Sequence, residues 1–233
     1  YLTPADYGTL AMFTVLLGLI GPFVGLSLHG AVSVKYFDTV GTDLPTYMGN
    51  CLMLLSSSSL LVVFFTWLFG ASISALSAFP QEWIWPIVLV SAGQTIILMM
   101  MTLWQVDDRP LVFSLFQVLQ AVVTAGLSLL LVVFFGRGWQ GSMEATIATV
   151  TIFAVISLGI LSANRRIIFR FDAPSIKHAL KFGVPLIPHE LGAMLIIQTD
   201  RIFIVNMVGV ADTGIYTIGF QVAYIIELLA SSF

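Results

Sequence analysis

The sequence predicts an all-α polytopic membrane protein in which seven transmembrane helices are visible. Of its 233 residues, 58% are hydrophobic and only 9% are charged, and the mean hydropathy is +1.02, which is far from the composition of soluble proteins. Five stretches free of Asp, Glu, Lys and Arg hold 28, 38, 24, 27 and 20 residues, at 7–34, 44–81, 83–106, 110–136 and 145–164. Each exceeds the roughly 18 residues that a membrane-spanning helix requires. Two more apolar segments, 177–209 and the one from Gly214 onwards, complete the seven.

The first predicted helix, which ends near residue 34, carries Gly21, Gly25 and His29 on one face, because residues four apart share a side of a helix. Small residues at this spacing allow a second helix to approach closely. His29 would then point into the bundle, where it either makes a hydrogen bond that supports packing or lines a transport path. Pro22 lies in the same helix and is a candidate hinge.

The next predicted helices are recognised by their ends. The second covers about 48–69 and is followed by a loop over 70–81, which is rich in Ser, Ala and Pro. The hydroxyls of the four serines at 56–59 are expected to bond to carbonyls of their own helix. The third helix runs from Trp83 to Trp104, about 30 Å, which matches a bilayer with its aromatic belts. The tetrapeptide DDRP at 107–110 predicts a cap and a first-turn proline for the fourth helix.

A basic linker, residues 164–181, follows the fifth helix and separates an N-terminal unit, residues 1–163, from two final helices in residues 182–233. It contains five of the nine Lys and Arg residues, interleaved with Ile and Phe. Such a segment is expected to lie along the anionic headgroups of the cytosolic leaflet. Alternate loops carry seven Lys and Arg on the linker side and only Arg137 on the other, so the positive-inside rule places the linker in the cytosol. Membrane orientation explains this charge, and no nucleic-acid partner is predicted.

Ionisable residues stand inside the sixth apolar segment, residues 177–209. Glu190, Asp200 and Arg201 would each cost roughly 2.5 to 3.5 kcal/mol at the centre of a membrane helix, so we expect them to face protein or a wet cavity. Pro185 and Pro188 each remove a backbone hydrogen-bond donor. The first turns of this helix are therefore expected to be bent or unwound, and both prolines are candidate hinges.

The start of the first helix recurs later in the chain. The quartet ADYG at residues 5–8 returns as ADTG at residues 211–214, an offset of 206 residues. Gly219, Ala223 and Glu227 then repeat the pattern of two small residues and one polar residue seen in the first helix. This repeat predicts two parallel six-helix halves of about 200 residues, related by an axis along the membrane normal. Because the chain begins at Tyr1 without a methionine and ends inside an apolar segment, we expect a fragment of a longer protein.

The segments LTPADYG, LKFGVPLIP, QTDRIFI and ADTGIYTIGFQVA resemble the polysaccharide-export branch of the multidrug/oligosaccharidyl-lipid/polysaccharide exporter superfamily, that is, O-antigen-type flippases. The likeness covers nearly the whole chain. It implies a twelve-helix protein in two lobes, of which this chain holds helices two to eight, in the cytoplasmic membrane of a prokaryote. It also implies a substrate, an oligosaccharide on a polyprenyl diphosphate, that moves from the cytosolic to the outer leaflet. Membrane lipids, a polysaccharide polymerase and glycosyltransferases are the further partners that the resemblance implies.

The resemblance also directs attention to particular charges. A lipid diphosphate needs cations, and the planar guanidinium of Arg201, flanked by Gln198, is the best candidate for binding it. A structural ion pair with another helix, or contact with the outer headgroups, is the alternative for Arg201. Lys35 stands where relatives often have an arginine, and it is a candidate for attracting the anionic substrate. His29 is a further candidate for contact with the substrate.

Acidic residues in a low-dielectric pocket suit coupling, because their pKa can rise towards neutrality and they can then exchange a proton or bind Na⁺. Glu190, Asp200 and Glu227 are the candidates. For Glu227 a hydrogen-bonded contact between helices is an equally good interpretation. Beyond such a coupling ion, the sequence predicts no cofactor and no metal site, since it has no H-E-x-x-H or Cys/His cluster.

Two other functions remain open. A drug/cation antiporter of the same fold would have a net acidic cavity. A membrane-embedded glycan polymerase or acyltransferase would need a nucleophile or an acid/base pair and commonly a large polar loop, and no predicted loop has these features. We therefore do not expect an enzyme.

Overall fold

The computed structural model describes residues 2–38 and 43–231, with side chains described up to residue 223. Within these residues the chain forms eight α-helices and no strand, which confirms the all-helical prediction. The helices are α1 (Pro4–Gly25), α2 (Leu28–Phe37), α3 (Leu44–Ser77), α4 (Ile84–Val106), α5 (Pro110–Leu129), α6 (Gly138–Ala163), α7 (Ala173–Met207) and α8 (Val210–Ser231). A 3₁₀ turn at Gln81–Trp83 precedes α4, and a π-helical turn at Leu130–Phe134 follows α5.

Six helical segments in the described part of the chain are long and apolar enough to cross a membrane. They are Pro4–Gly25, Leu44–Ser77, Gln81–Val106, Pro110–Phe134, Gly138–Ala163 and Ala173–Met207. These correspond to the first six predicted spans. The seventh span, in α8, and the twelve-helix, two-lobe architecture stay predictions.

α1 occupies the centre of the bundle, where it packs against α3, α4, α7 and α8. α5 lies at the periphery against α6 and has no buried residue. The apolar side chains of α5, for example Leu115 and Val122, are exposed.

The first predicted helix is two helices in the structure, which corrects the expectation that it continues to residue 34. α1 ends at Gly25, and both Leu26 and Ser27 adopt left-handed backbone conformations with φ of 46° and 47°. Residues other than glycine lose about 1–2 kcal/mol each in this conformation, so the surrounding packing must hold it. The break comes one turn after Pro22, whose carbonyl accepts a hydrogen bond from the Leu26 N–H at 3.0 Å.

The helices α3 and α7 hold this break. Ser58 of α3 donates a hydrogen bond of 2.6 Å to the carbonyl of Val24, which lies in the last turn of α1, where carbonyls lack intrahelical partners. Gly183 of α7 lies directly against the break, because a Cβ at this glycine would be 1.9 Å from the carbonyl oxygen of Leu26. A glycine at this position is what allows the two backbones to meet.

α3 is longer than predicted. It continues to Ser77 through most of the segment 70–81, which the composition indicated as a loop. Ser77 donates a 2.7 Å hydrogen bond to the carbonyl of Ile73, so the hydroxyl is satisfied within the helix. Ser56, Ser57 and Ser59 also donate to carbonyls of α3, as predicted.

α7 begins at Ala173, inside the segment 164–181 that was assigned to the linker. Asp172 caps this start, because its carboxylate accepts the Ser175 N–H at 3.0 Å. The helix then continues through Pro185 and Pro188 without interruption. The backbone is therefore not unwound there, which corrects one of the two expected forms, while a bend and the role of the two prolines as hinges stay predictions.

The extended part of the linker is attached to the start of α3. Ile168 N–H donates to the carbonyl of Pro45 at 2.9 Å, and a Cβ at Gly49 would lie 2.0 Å from the carbonyl oxygen of Ile168. The side-chain amide of Asn50 donates to the carbonyl of Arg170 at 2.8 Å and accepts from Asp172 N–H at 3.0 Å. Contact of this segment with headgroups stays a prediction, as does the division into residues 1–163, 164–181 and 182–233.

α1 and α8 cross at the glycines of the two repeated quartets. A Cβ at Gly8 would lie 1.9 Å from the carbonyl oxygen of Val210, and a Cβ at Gly214 would lie 1.9 Å from that of Pro4. In each helix, the contacting carbonyl belongs to the residue four positions before the glycine. This carbonyl lies against the glycine of the other helix. Both Pro4 with Val210 and Gly8 with Gly214 are 206 positions apart, so the repeat found in the sequence has a symmetric counterpart at this crossing.

Candidate functional site

A cavity of about 300 Å³ lies beside the break between α1 and α2. Glycines of α1 and residues of α4 and α7 form its walls. Its polar lining residues are Ser27, His29, Ser91, Gln94, Thr95 and Glu190. Two predicted site residues, His29 and Glu190, and the candidate hinge Pro22 therefore meet at one place.

Glu190 joins α7 to the break. Its carboxylate accepts a hydrogen bond from the hydroxyl of Ser27, which is buried. Glu190 itself is half-buried, and it forms no salt bridge with a residue in the described part of the chain. The sequence indicated that Glu190 turns inward, but its partner is 163 positions away and could not be foreseen.

Arg201 lies at a different place, between α7 and α8. It is 6% exposed, and its guanidinium lies 4.8 Å from the ring centroid of Phe220, a cation–π contact. Nη1 donates to the side chain of Gln198, as their positions on successive turns suggested. Nε is buried and has no hydrogen-bond partner among the described residues, where Arg201 also forms no salt bridge. Burial is inconsistent with contact between Arg201 and the outer headgroups.

Asp200, next to Arg201, is bonded to the backbone and to α8. One oxygen accepts the Arg201 N–H at 2.8 Å, and the other accepts the hydroxyl of Tyr216. Each oxygen of the Asp200 carboxylate thus accepts one hydrogen bond. The hydrogen bond from Tyr216 to Asp200 therefore connects α8 to α7.

Lys35 lies at the end of α2, apart from the other candidates. It forms a salt bridge of 2.7 Å with Asp38 and lines a polar pocket of about 360 Å³. Tyr47 and His178, whose hydroxyl and Nδ1 are 3.0 Å apart, line the same pocket and connect α3 with α7. An anion at Lys35 would have to compete with the carboxylate of Asp38.

Asp172, the cap of α7, also lines this polar pocket. Hydrogen bonds from the hydroxyl and the N–H of Ser175 hold the pKa of its carboxyl below the usual range, and the charges of Arg170 and Lys35 add to this effect. Asp172 therefore stays ionised at neutral pH.

The predicted stripe on α8 is only partly described. Gly219 has open space beside it, and both Gly219 and Ala223 are exposed. The side chain of Glu227 lies outside the described residues, so its direction stays a prediction. The buried face of α8 in the described part is formed by Thr213, Gly214 and Thr217.

The sequence did not predict one network of polar side chains, which joins α2, the loop before α5 and the linker. Asp107, the first residue of the tetrapeptide expected to cap α5, accepts a hydrogen bond from the hydroxyl of Tyr36 at 2.7 Å and forms a 3.0 Å salt bridge with Arg166. This hydrogen bond raises the pKa of Tyr36. Arg109 is the residue before α5, without a side-chain cap bond, and the first-turn Pro110 is present as predicted. The only available signal was topological, since the predicted loops place all three partners on the cytosolic side.

The fold and these sites define an α-helical polytopic membrane protein in which ionisable residues are held at contacts between helices. The chain belongs to the family described as polysaccharide biosynthesis protein, whose model matches residues 1–232. This confirms the resemblance seen in the sequence.

The chain is also similar to an uncharacterized membrane protein of Haemophilus influenzae, with 26% identity over 229 residues. The alignment covers 95% of this chain and 53% of that protein, so the chain spans about half the length of this relative. No solved structure matches the chain.

Proposed function

We propose that the protein moves a polyprenyl-diphosphate-linked oligosaccharide from the cytosolic to the outer leaflet of the cytoplasmic membrane of a prokaryote. Membership of the polysaccharide biosynthesis family over residues 1–232 carries this proposal, because the chain consists largely of apolar helices. A hydrophilic glycan made in the cytosol cannot cross the hydrocarbon core unaided. Transfer across the bilayer is the step in polysaccharide synthesis for which such a helical chain is suited, and it requires no catalytic residue.

Alternating access is the proposed mechanism, with helices two to eight of a twelve-helix, two-lobe protein in this chain. The symmetric crossing of α1 and α8 supports it, since two helices related by the repeat meet at one end of the bundle. Pro22, Pro185 and Pro188 are the proposed hinges. The lipid-linked oligosaccharide and membrane lipids are the direct partners, and a polymerase and glycosyltransferases act before or after transport.

Arg201 is the proposed phosphate ligand. Its Nε hydrogen, which has no partner among the residues that the structure describes, supports this role, because a phosphate oxygen would satisfy this buried donor. In the structure Phe220 covers the guanidinium, so phosphate binding requires the Phe220 ring to move aside. Gln198, His29 and Lys35 are proposed as further substrate contacts. Glu190, Asp200 and Glu227 are the proposed sites of H⁺ or Na⁺ coupling.

A drug/cation antiporter is the second candidate. The observation that favours it is the cavity at Glu190, whose lining, among the residues that the structure describes, contains one carboxylate and no Lys or Arg. Such a cavity would attract an organic cation.

Transport assays distinguish the proposed flippase from a drug/cation antiporter. The full-length protein is reconstituted in vesicles with a fluorescent polyprenyl-diphosphate glycan, and its movement between leaflets is followed with an external quencher. Wild-type protein should move the glycan, Arg201→Lys should move it several times more slowly because the planar fork is lost, and Arg201→Gln should be nearly inactive. Arg137→Gln, in an exposed salt bridge, is the matched control. Efflux of cationic dyes without movement of the glycan would contradict the proposal.

A structural role for Arg201 gives a different result. If the guanidinium only supports the packing of α7 on α8, Arg201→Gln should reduce the amount of folded protein, and the remaining folded fraction should transport normally. The folded fraction is measured by gel filtration before reconstitution, so the two roles are separated.

A further inference from the structure

Basic side chains from three parts of the chain converge on the polar pocket of about 360 Å³. Lys35 reaches it from the end of α2, Arg170 from the linker and His178 from the first turns of α7. The charges of Lys35 and Arg170 both lower the pKa of Asp172, so the two cations lie near the same carboxylate. The positive-inside count places this end of the bundle on the cytosolic side of the membrane.

Two carboxylates also line the polar pocket, but each of them caps a helix. Asp43 accepts the Thr46 N–H at 3.3 Å and the Thr46 hydroxyl at 2.6 Å at the start of α3. Asp172 accepts the N–H and the hydroxyl of Ser175 at the start of α7. Neither carboxylate forms a salt bridge within the described ranges of the chain. The two acids therefore do not pair with the basic groups.

Each basic group has a hydrogen-bond donor left for a ligand. The ammonium of Lys35 has three hydrogens, and its salt bridge with Asp38 uses one of them. The guanidinium of Arg170 forms no salt bridge with any residue that the structure describes. When the hydroxyl of Tyr47 donates to Nδ1 of His178, Nε2 carries the hydrogen of the neutral ring. Such donors bind phosphate oxygens.

α3 holds the backbone that carries Arg170. The buried side-chain amide of Asn50 donates to the Arg170 carbonyl at 2.8 Å and accepts the Asp172 N–H at 3.0 Å. A backbone that is already fixed lowers the entropic cost of binding a ligand. Both bonds involve backbone atoms of the linker, so a substitution of the Arg170 side chain leaves them intact.

Exposed apolar side chains lie beside these basic groups. Phe169 and Phe171 flank Arg170, and Phe37 lies two positions after Lys35; all three phenylalanines are exposed. At the end of a membrane protein, such side chains are expected to enter the boundary between headgroups and hydrocarbon. An anionic ligand with a hydrocarbon chain fits this combination better than a free anion, because both of its parts find partners.

We propose that the polar pocket binds the phosphate or diphosphate group of a membrane lipid at the cytosolic face, through Lys35, Arg170 and His178. Basic pockets at the cytosolic ends of membrane helices suit anionic headgroups. The volume of about 360 Å³ leaves room for such a group and several waters, each of which occupies about 30 Å³.

Two lipids share this chemistry, a polyprenyl diphosphate and an anionic phospholipid. The first source rests on the proposed function and deepens it, because the pocket would bind the carrier lipid before transport. The second source is independent of transport. Either lipid would also hold the linker at the membrane surface, where the charge count places it.

Binding of lipids to the purified full-length protein in detergent tests the proposal. Native mass spectrometry at pH 7 gives the number of bound molecules and the dissociation constant for a polyprenyl diphosphate, for the polyprenol of the same chain length and for phosphatidylglycerol. The diphosphate should bind at least about tenfold more tightly than the polyprenol, because only the diphosphate has the anionic group.

Substitutions in the pocket locate the binding. Arg170→Gln and Lys35→Gln should each weaken binding of the polyprenyl diphosphate about tenfold, because each removes a charge-assisted hydrogen bond, and Arg170→Lys should weaken it less. Lys177→Gln is the matched control, since it removes an exposed charge next to His178 that does not line the pocket, and it should bind nearly as the wild type does. Without lipid, Arg170→Gln should unfold at the wild-type temperature.

The lipids compared also identify the source. Tighter binding of the polyprenyl diphosphate than of phosphatidylglycerol supports a site for the carrier, and equal or tighter binding of phosphatidylglycerol supports a site for a phospholipid. Inorganic diphosphate should bind more weakly than either lipid. The proposal is overturned if polyprenol binds as tightly as its diphosphate, if inorganic diphosphate binds as tightly as the lipids, or if Arg170→Gln and Lys177→Gln weaken binding equally. No transport is measured, so failure of this site and failure of the proposed function are separate results.

Discussion

The crossing of α1 and α8 is the feature whose perturbation has the most definite consequence. A Cβ at Gly8 would lie 1.9 Å from the carbonyl oxygen of Val210, whereas ordinary contacts of a Cβ begin near 3.4 Å. Gly8→Ala therefore requires the two helices to separate by about 1.5 Å. Forcing a methyl group into such a packed contact destabilises a protein by about 1–3 kcal/mol. The same argument applies to Gly214→Ala, whose Cβ meets the carbonyl of Pro4.

The symmetry of the crossing predicts more than two damaging substitutions. Once one alanine has separated the helices, the second methyl group occupies space that is already open. The double variant should therefore lose about as much stability as either single variant, not the sum, because the two glycines share one contact. The measurement is the thermal unfolding midpoint of the full-length protein in detergent, with movement of the glycan in vesicles as the second assay.

Gly219→Ala on the same helix is the matched control. This position has open space for a Cβ, and alanine is favoured over glycine in a helix interior by about 0.5–1 kcal/mol. The control should therefore be neutral or slightly more stable. If Gly8→Ala and Gly214→Ala behave like Gly219→Ala, or if their effects are additive, the reasoning about a shared glycine crossing is wrong.

Three further predictions concern the ends of the helices. Cysteine at Ala78 should react with a membrane-impermeant maleimide added to intact cells, while cysteine at Asn164 should react only after permeabilisation, because the charge count places the linker in the cytosol. Asp107→Asn should lower the free energy of unfolding by about 1–2 kcal/mol, since it leaves Arg166 without its carboxylate partner, as measured by thermal unfolding. The lowered pKa of Asp172 should stabilise the fold above the usual carboxyl range, and this contribution should disappear as the pH falls through the lowered value, so Asp172→Asn should weaken the acid dependence of the unfolding midpoint.

Controls exist for each of these. The native cysteine, Cys51, is buried, so the protein without an added cysteine should give little labelling. Reaction at residue 164 in intact cells would invert the topology. Asp108→Asn changes the neighbouring acid without touching the salt bridge, and equal losses from both substitutions would mean that the Asp107 network contributes little. Unchanged acid dependence in Asp172→Asn would show that other carboxylates determine it.

Composition and periodicity determined that this protein is a bundle of membrane helices. Apolar stretches of sufficient length, bounded by charges, have one stable solution in a bilayer, because a helix satisfies its backbone hydrogen bonds internally. The two four-residue motifs that end in Gly8 and Gly214 were also visible in the sequence, and the structure places these two glycines at one helix crossing. The inward direction of Glu190 followed from the unfavourable exposure of a carboxylate to lipid.

Tertiary packing alone decided where the helices are interrupted and which polar groups meet. Leu26 and Ser27 have no preference for left-handed backbone, whereas Pro185 and Pro188 suggested an interruption where α7 is continuous. Contacts from distant parts of the chain meet at this interruption, from Ser58 of α3 and from Gly183 and Glu190 of α7, and helical propensity is weak beside such packing. A local sequence pattern reflects the stability of a single helix. The break and its cavity depend on contacts among several helices, which such a pattern does not contain.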